Sequence, residues 1–518
     1  MASVMPESID PKIARWRFVV VSEDATIDVA RQVAGAVAVG DLVTLSGDLG
    51  AGKTTFARAL IREIMGDPEL EVPSPTFTLM QNYEGPRFPI VHADLYRIRE
   101  PDELIELGWE DTASCSLMLV EWPERAARFL TSHRLDVRLD IVSGSGGMGR
   151  SITLTGTGTW AERVRQARAL SEMLDHAGWG HARRYALQGD ASTRLYERLV
   201  LPGRSAILMI SPTPKHGPII RSGKTYRTLA RLADDVSAFI AIAKGLRVIG
   251  VSSPEIYAAN IEGGLVLTED MGSEGIIDQN GPIRERYLEA IKLLAELHGQ
   301  ELPQFLPVEE GRYYNIPIYD IEPLMVEIEV FLDWYVPSRT GKPLSGSARG
   351  IFLNLWRRAL EPLALAEPTW VLRDFHSPNL IWQPSREGTD RVGVIDFQDT
   401  LIGHPAYDVG SIIYDARVQV PESLASEMTD LYVNMRTSKN SDFDGLRFSG
   451  ALALFSAQRL TKILGIFVRL DQRDGKPQYL KHIPMLEGYL RRNLSHHTLG
   501  LLKAWYGEYM PDLFGSAN

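Results

Sequence analysis

The sequence predicts two units in tandem, an α/β domain built around a phosphate-binding glycine loop and an α+β domain of two lobes. Three observations carry that reading. The chain has 518 residues, well beyond one-domain length, so more than one core is expected. The run Gly47-Asp48-Leu49-Gly50-Ala51-Gly52-Lys53-Thr54-Thr55 stands between a strand-like and a helix-like segment. Far downstream, between Val371 and Asp399, the side chains Asp374, Asn379 and Asp396 follow one another in the order that phosphoryl transfer requires. They are an acid to orient the attacking hydroxyl, then an amide and a second acid for the metal.

Composition bounds the function. Hydrophobic residues make up 44% of the chain and charged residues 23%, the balance of a soluble globular protein. A formal net charge of -11 argues against a general nucleic-acid surface, because such affinity comes from Lys and Arg neutralising phosphates. Cys115 is the single cysteine, which excludes an intramolecular disulfide framework and a cysteine zinc site and fits a reducing compartment. It is expected as a small buried hydrophobe. The N-terminal MASVMPESIDPKIARW shows neither a secretory nor a transit pattern, and no uninterrupted apolar run reaches the ~18 residues of a membrane span. A cytoplasmic enzyme is expected, with no membrane and no direct general nucleic-acid binding.

The first domain is expected over residues 16–165. Arg17 to Val21 reads as a strand and Ala25 to Val39 as a helix closed by Gly40. Asp41 to Ser46 reads as a buried strand that delivers the glycine loop. Gly47, Gly50 and Gly52 let backbone N–H groups close around phosphates, and Lys53 reaches the outer ones. Thr54 offers its hydroxyl to magnesium, and Thr55 completes the motif at the start of a helix whose dipole favours anions. Asp94, in Val91-His92-Ala93-Asp94-Leu95-Tyr96-Arg97, and Glu121, in Leu117-Met118-Leu119-Val120-Glu121-Trp122-Pro123-Glu124, each end a short apolar strand. Both acids are therefore expected beside the phosphate loop, one holding magnesium and the other positioning water. The competing readings are a turn cap for Asp94 and core filling for Trp122. Arg134 to Val142 and Ser151 to Thr155 alternate as strands do, and the glycine-rich residues 143–149 read as their hairpin connection.

These residues together resemble the bacterial ATPase family TsaE, which serves synthesis of threonylcarbamoyl-adenosine in tRNA. GDLGAGKTT, SPTF, H-x-DLYR and EWPE stand in family order across the whole first domain. The resemblance implies that Lys53 and Thr54 bind ATP and Mg2+, and that Asp94 and Glu121 serve metal binding and hydrolysis, with Glu121 as a metal ligand. It implies a mobile switch around Thr76 and packing of Trp122 at the nucleotide. The partners it implies are the threonylcarbamoyl transferase TsaD and its companion TsaB.

The second domain is expected over residues 168–518. Ala161 to Ala177 reads as a helix ended by Gly178-Trp179-Gly180. Tyr185 to Gln188 and Leu195 to Val200 read as strands around Gly189-Asp190-Ala191-Ser192-Thr193-Arg194, where Gly189 and Ser192 suit close approach to phosphates. The strand Ala206 to Ile210 carries Met209 where a protein kinase places its phosphate-pairing lysine, with Lys215 and Lys224 near in sequence. Gly264 to Thr268, followed by Glu269-Asp270-Met271-Gly272, reads as a strand entering an interlobe hinge whose backbone, at Glu269 and Met271, would bind adenine. Tyr287 to His298 is a helix by its apolar spacing, with His298 a histidine suited to a helix end. Phe331, Trp334, Tyr335, Phe352 and Trp356 are expected in the core, with sugar stacking as the competing role. Glu322, Glu327, Glu329 and Asp333 read as a solvated helix face. Asp374 and Asn379 have the spacing of a kinase catalytic loop, and Asp396 ends the apolar run from Val392 to Ile395.

GDAS-x-R-x-Y-x-R, the AILM strand, the EDMG hinge, RDFHSPNL and IDFQDTLIGHPAYD together resemble the aminoglycoside-phosphotransferase-like kinases. The likeness is greatest to the AmgK-like anomeric kinases of N-acetylmuramate and N-acetylglucosamine in cell-wall recycling. It implies that Asp374 orients and deprotonates the anomeric hydroxyl, that Asn379 and Asp396 hold magnesium, and that Arg194 lies near the phosphates. Leu372 stands where the superfamily usually has histidine, so the catalytic loop must be braced differently. Asp408 is expected to brace it or to cap the next helix. The architecture expected is thus an α/β P-loop NTPase domain followed by an α+β two-lobed protein-kinase-like (aminoglycoside phosphotransferase-like) domain. The function expected is an ATPase supporting tRNA modification fused to an ATP-dependent amino-sugar kinase. The competing readings of the second half are a kinase of an aminoglycoside or choline-like hydroxyl, or a nucleotide-binding regulatory module.

Overall fold

The computed structural model describes residues 10, 12–144, 147–187, 194–212 and 217–514. The chain divides into two compact units after Gly180. That division falls later than the expected 165–168, because the helix Thr159–His176 buries Trp160, Ala161 and Val164 in the core of the first unit.

The first unit is a seven-stranded sheet of β1 (Ile13–Val20), β2 (Leu42–Ser46), β3 (Met80–Glu84), β4 (Pro89–Asp94), β5 (Leu117–Glu121), β6 (Arg134–Gly144) and β7 (Gly147–Thr157). Their order is β1-β7-β6-β2-β5-β4-β3. β6, β2, β5 and β4 run parallel, and β1, β7 and β3 antiparallel to their neighbours. β5 is buried along its whole length because both faces are covered. Leu117 and Leu119 pack with Val29, Val33, Phe56 and Leu60, on the helices Glu23–Ala34 and Lys53–Met65. Met118 and Val120 pack on the other face with Leu104 and Trp109. The first helix is shorter than expected: Ser22 Oγ caps it by accepting Ala25 N–H at 3.1 Å, and it ends at Ala34 before Gly35. β6 and β7 form the expected hairpin, paired from Arg134 with Thr157 to Gly144 with Gly147. Cys115 departs from expectation, since it ends a surface helix and is exposed.

The second unit opens with a five-stranded antiparallel sheet. It contains β8 (Arg183–Leu187), β9 (Leu195–Leu201), β10 (Arg204–Ile210) and the strands Ile256–Asn260 and Leu265–Glu269. The helix Val236–Val248 packs on this sheet. The larger lobe is helical and centres on Gly445–Asp474, which is long and apolar enough to cross a bilayer. Its apolar window is 94% buried inside the protein, as befits a core helix. Gly465 is required there, for a Cβ would lie 2.5 Å from Phe331 N on the crossing helix.

Of two expectations about this lobe, the core role of the aromatic residues holds and the solvated face of acids is corrected. Phe331, Tyr335, Phe352 and Trp356 are fully buried and pack on one another and on Trp505 and Tyr506, so they build core and line no sugar site. Glu327 and Glu329 are buried on different sides of the helix Ile321–Val330, Glu327 against Gln458 and Lys462 of the central helix and Glu329 against Arg221 and Arg349. The aromatic cluster sets a prediction: Phe352→Ala costs about 3–5 kcal/mol by cavity formation. It should be read as a lower denaturation midpoint for the second unit, followed by tryptophan fluorescence.

Candidate functional sites

The first site forms where parallel strands end. β2 runs into the glycine loop, whose positions 47, 50 and 52 have φ of 137°, 80° and 106°, a region that side chains avoid. A Cβ at Gly47 would lie 2.1 Å from Leu139 O, so only glycine fits. Lys53 begins the following helix, and its Nζ donates to Gly47 O (2.8 Å) and Asp48 O (3.0 Å) and lies 3.8 Å from the centre of the Trp122 ring. Burial pulls the Lys53 pKa down, against the pull of Glu121 and Asp94.

Asp94 and Glu121 end β4 and β5 as register partners. Both are buried, as expected of acids beside the loop. Thr54 Oγ1 donates to Glu121 at 3.0 Å, and His92 Nε2 lies 3.0 Å from the same carboxylate. Asp94 accepts Thr76 Oγ1 (2.6 Å), Ser74 Oγ (3.3 Å) and Tyr96 N–H (3.0 Å). The SPTF segment is thereby tied to the acid that ends β4. A threonine hydroxyl beside carboxylates and a backbone cradle is the donor set of a magnesium–phosphate site. Sequence reading quoted His92 without a role; its place against Glu121 follows from the strand pairing.

The second site lies in the second unit. Asn379 Nδ2 donates to Asp374 O at 2.9 Å, and Asn379 O accepts Ile395 N–H at 3.0 Å, which ties the catalytic loop to the segment carrying Asp396. Asp396 accepts Gln398 Nε2 (2.8 Å) and Arg194 Nη1 (3.4 Å), so the arginine expected near the phosphates stands beside the expected metal acid. Gly189 and Ser192 lie outside the described residues, as does Lys215. Met209 is buried in β10, and Lys224 pairs with Glu322 at 3.3 Å. At the hinge, Glu269 ends its strand with N–H bonded to Glu255 O, and Met271 O accepts Gln383 Nε2 at 2.5 Å.

Electrostatics separate the two acids. Burial works to raise the Asp374 pKa, but Lys462, His376, Arg459 and Arg373 together hold it below the usual carboxylate value. Asp396 is raised, first by burial and then by Asp374. An acid whose charge is disfavoured by burial and by a neighbouring acid fits a site that takes up a cation. Among the described residues no group of three or more His, Cys, Asp or Glu is placed to hold a metal alone. Phosphate oxygens would have to complete either site, the usual manner for magnesium.

The loop brace absent at Leu372 is supplied by Asp408. Its carboxylate is buried and accepts Leu372 N–H at 2.6 Å and Arg373 N–H at 2.8 Å. Asp415 does the same for Ser377 N–H at 2.8 Å. His298 ends the helix Arg284–Leu297 as expected, with Nδ1 2.9 Å from Tyr432 OH, and burial pushes its pKa down. Arg373 lies at φ 71°, a left-handed conformation costing about 1–2 kcal/mol without glycine. It is buried, and its guanidinium pairs with Glu327. Sequence reading missed Glu327, Lys462, Asp415 and Gln398; of these, Gln398 and Asp415 lie close enough to the motifs for local inspection to have found them.

A glycine-loop ATPase and a two-lobed phosphotransferase are the classes that these sites define, and comparison with known proteins agrees. Residues 20–149 match the family described as threonylcarbamoyl adenosine biosynthesis protein TsaE, and residues 185–440 match the phosphotransferase enzyme family. The N-acetylmuramate/N-acetylglucosamine kinase of Caulobacter vibrioides is 34% identical over 355 residues, covering 66% of this chain and 96% of that protein. Its namesake from Pseudomonas aeruginosa is 30% identical, covering 62% and 87%. The tRNA threonylcarbamoyladenosine biosynthesis protein TsaE of Rickettsia felis is 40% identical over 121 residues, covering 23% of this chain and 70% of that protein. The chain belongs to both families: it is a fusion of a TsaE ATPase with a kinase of the N-acetylmuramate/N-acetylglucosamine kinase group.

The brace gives a second prediction. Asp408→Asn keeps one acceptor oxygen for two buried N–H groups, so stability should fall by about 1–3 kcal/mol. Phosphotransfer should fall with it, measured as ADP release beside a thermal melt.

Proposed function

We propose that the protein is bifunctional and cytoplasmic. The second unit transfers the γ-phosphoryl of ATP to the anomeric hydroxyl of N-acetylmuramate or N-acetylglucosamine, as in cell-wall recycling. The first hydrolyses ATP in support of tRNA threonylcarbamoyladenosine synthesis, with TsaD- and TsaB-like partners. The observation that supports the kinase reading is that Asn379 bonds Asp374 O and the Ile395 N–H beside Asp396, while Arg194 pairs with Asp396.

In this reading Asp374 orients the acceptor hydroxyl and takes its proton, a role suited to a carboxylate held ionised by surrounding cations. Asn379 and Asp396 would hold magnesium. Arg194 would face the phosphates once its contact to Asp396 is shared with them. Hinge backbone at Glu269 and Met271 would receive adenine, and Gly189 and Ser192 would cover the phosphates. In the first unit, Gly47, Gly50, Gly52, Lys53, Thr54 and Thr55 would cradle the triphosphate, with Thr54 and Glu121 as metal ligands. Asp94 would position the water, its link to Thr76 making the SPTF segment responsive to nucleotide, and Trp122 would pack at the nucleotide. Bound magnesium supplies charge neutralisation between the phosphates.

Two outcomes test this. Sugar-phosphate formation by the full chain should occur with N-acetylmuramate or N-acetylglucosamine, and Asp374→Ala should reduce it by about 10²–10⁴-fold. Turnover with kanamycin or choline alone would replace the substrate assignment. Sugar-independent ADP release, measured with TsaD and TsaB present, should fall by about 10²-fold in Lys53→Ala. An unchanged rate would remove the ATPase role from the glycine loop.

A further inference from the structure

We propose that Glu327 and Lys462 are positioning residues for phosphoryl transfer: by clamping Arg373 they fix the direction in which the Asp374 carboxylate meets the acceptor hydroxyl. The proposal rests on the reading of Asp374 given above.

Arg373 immediately precedes Asp374 and is held in a left-handed conformation at φ 71°. Such a residue persists only when its surroundings over-determine it. Its backbone N–H is taken by Asp408 at 2.8 Å, and its buried guanidinium by Glu327. The residue is thus gripped at both ends, and the peptide leading into Asp374 has little freedom left.

Glu327 is itself fully buried and held from four directions. Besides Arg373 it accepts Lys462 Nζ (3.0 Å), Tyr319 OH (2.6 Å) and Gln458 Nε2 (3.0 Å). Lys462 Nζ also donates to Tyr407 OH at 3.0 Å, and Gln458 Nε2 to Leu324 O at 3.0 Å. Glu327 lies on Ile321–Val330, Gln458 and Lys462 on Gly445–Asp474, and Tyr407 on Ala406–Ile413. Three helices of the large lobe therefore meet at Lys462, which donates to Glu327 on one and to Tyr407 on another.

One buried carboxylate and two buried cations are an expensive way to fill a core. Apolar residues of similar volume are often as stable or more so, whereas removing one partner of a buried pair is costly. What the charged set adds is direction, because a guanidinium bound to a fixed carboxylate has one orientation. Its use is at the acid where a displacement on the order of 1 Å can cost about 10²-fold in rate.

Lys462→Met is the informative variant, since Glu327 keeps Arg373, Tyr319 and Gln458 as partners. In the full chain, sugar-phosphate formation should fall about 10–100-fold in kcat, with KM for ATP and for N-acetylglucosamine within about twofold of wild type. Lys462→Arg, which keeps the charge, should recover most of the loss. A kcat near wild type in folded Lys462→Met would overturn the proposal, as would a loss expressed mainly in KM. If methionine prevents folding, Lys462→Gln retains a donor to Glu327 and is held to the same kcat criterion. Sugar-dependent turnover that survives Asp374→Ala would instead sink the assignment of Asp374, a distinguishable failure.

Discussion

The grip of buried carboxylates on backbone N–H groups is the interaction on which the second site depends. Asp408 holds Leu372 and Arg373, and Asp415 holds Ser377 and Arg417. A catalytic loop has too few residues to satisfy its own amides, and a buried amide without a partner costs about 1–3 kcal/mol. Supplying acceptors from the segment that follows Asp396 satisfies the loop and sets its shape. The segment that carries Asp396 thereby also fixes the loop that carries Asp374.

In the first unit, strand pairing does this work. β4 and β5 end in register at Asp94 and Glu121, and β2 between β5 and β6 delivers the glycine loop. Side chains then connect the parts: Thr54 and His92 meet at Glu121, and Ser74 and Thr76 meet at Asp94. The SPTF segment is thereby fixed to the strand end next to the one that receives Thr54.

The residues legible in the sequence were those whose chemistry demands short, fixed spacing. The glycine loop is one, because backbone cradling fixes its glycines; the pairing of Asp374 with Asn379 is another. Glu327 was illegible for a physical reason. In Ile321–Val330 the acids at 322, 327 and 329 do not share one face, and only the side chains that the helix Gly445–Asp474 brings against Glu327 show that it points inward. Lys462 stands far downstream in an apolar helix, where nothing local distinguishes a paired lysine from one reaching toward solvent. The early end of the first helix at Ala34, the exposure of Cys115 and the division after Gly180 are likewise settled by packing.

The two sites handle strain in different ways, and the difference explains where their charged side chains are spent. The glycine loop takes positive φ at Gly47, Gly50 and Gly52 without steric cost. The acids cannot be approached in that way, because side chains are needed there: Trp122 (φ 58°) follows Glu121, Arg373 (φ 71°) precedes Asp374, and Asp396 itself lies at φ 57°. Each position costs on the order of 1–3 kcal/mol and must be held by its surroundings. Trp122 is held by its N–H on Leu45 O, the Lys53 ammonium over its ring and Tyr96 beside it. Asp396 is held by Gln398 and Arg194, and Arg373 by Asp408 and Glu327. Three of the six positive-φ residues other than glycine among the described residues thus sit at or beside Glu121, Asp374 and Asp396, and each is held by side chains of its own site.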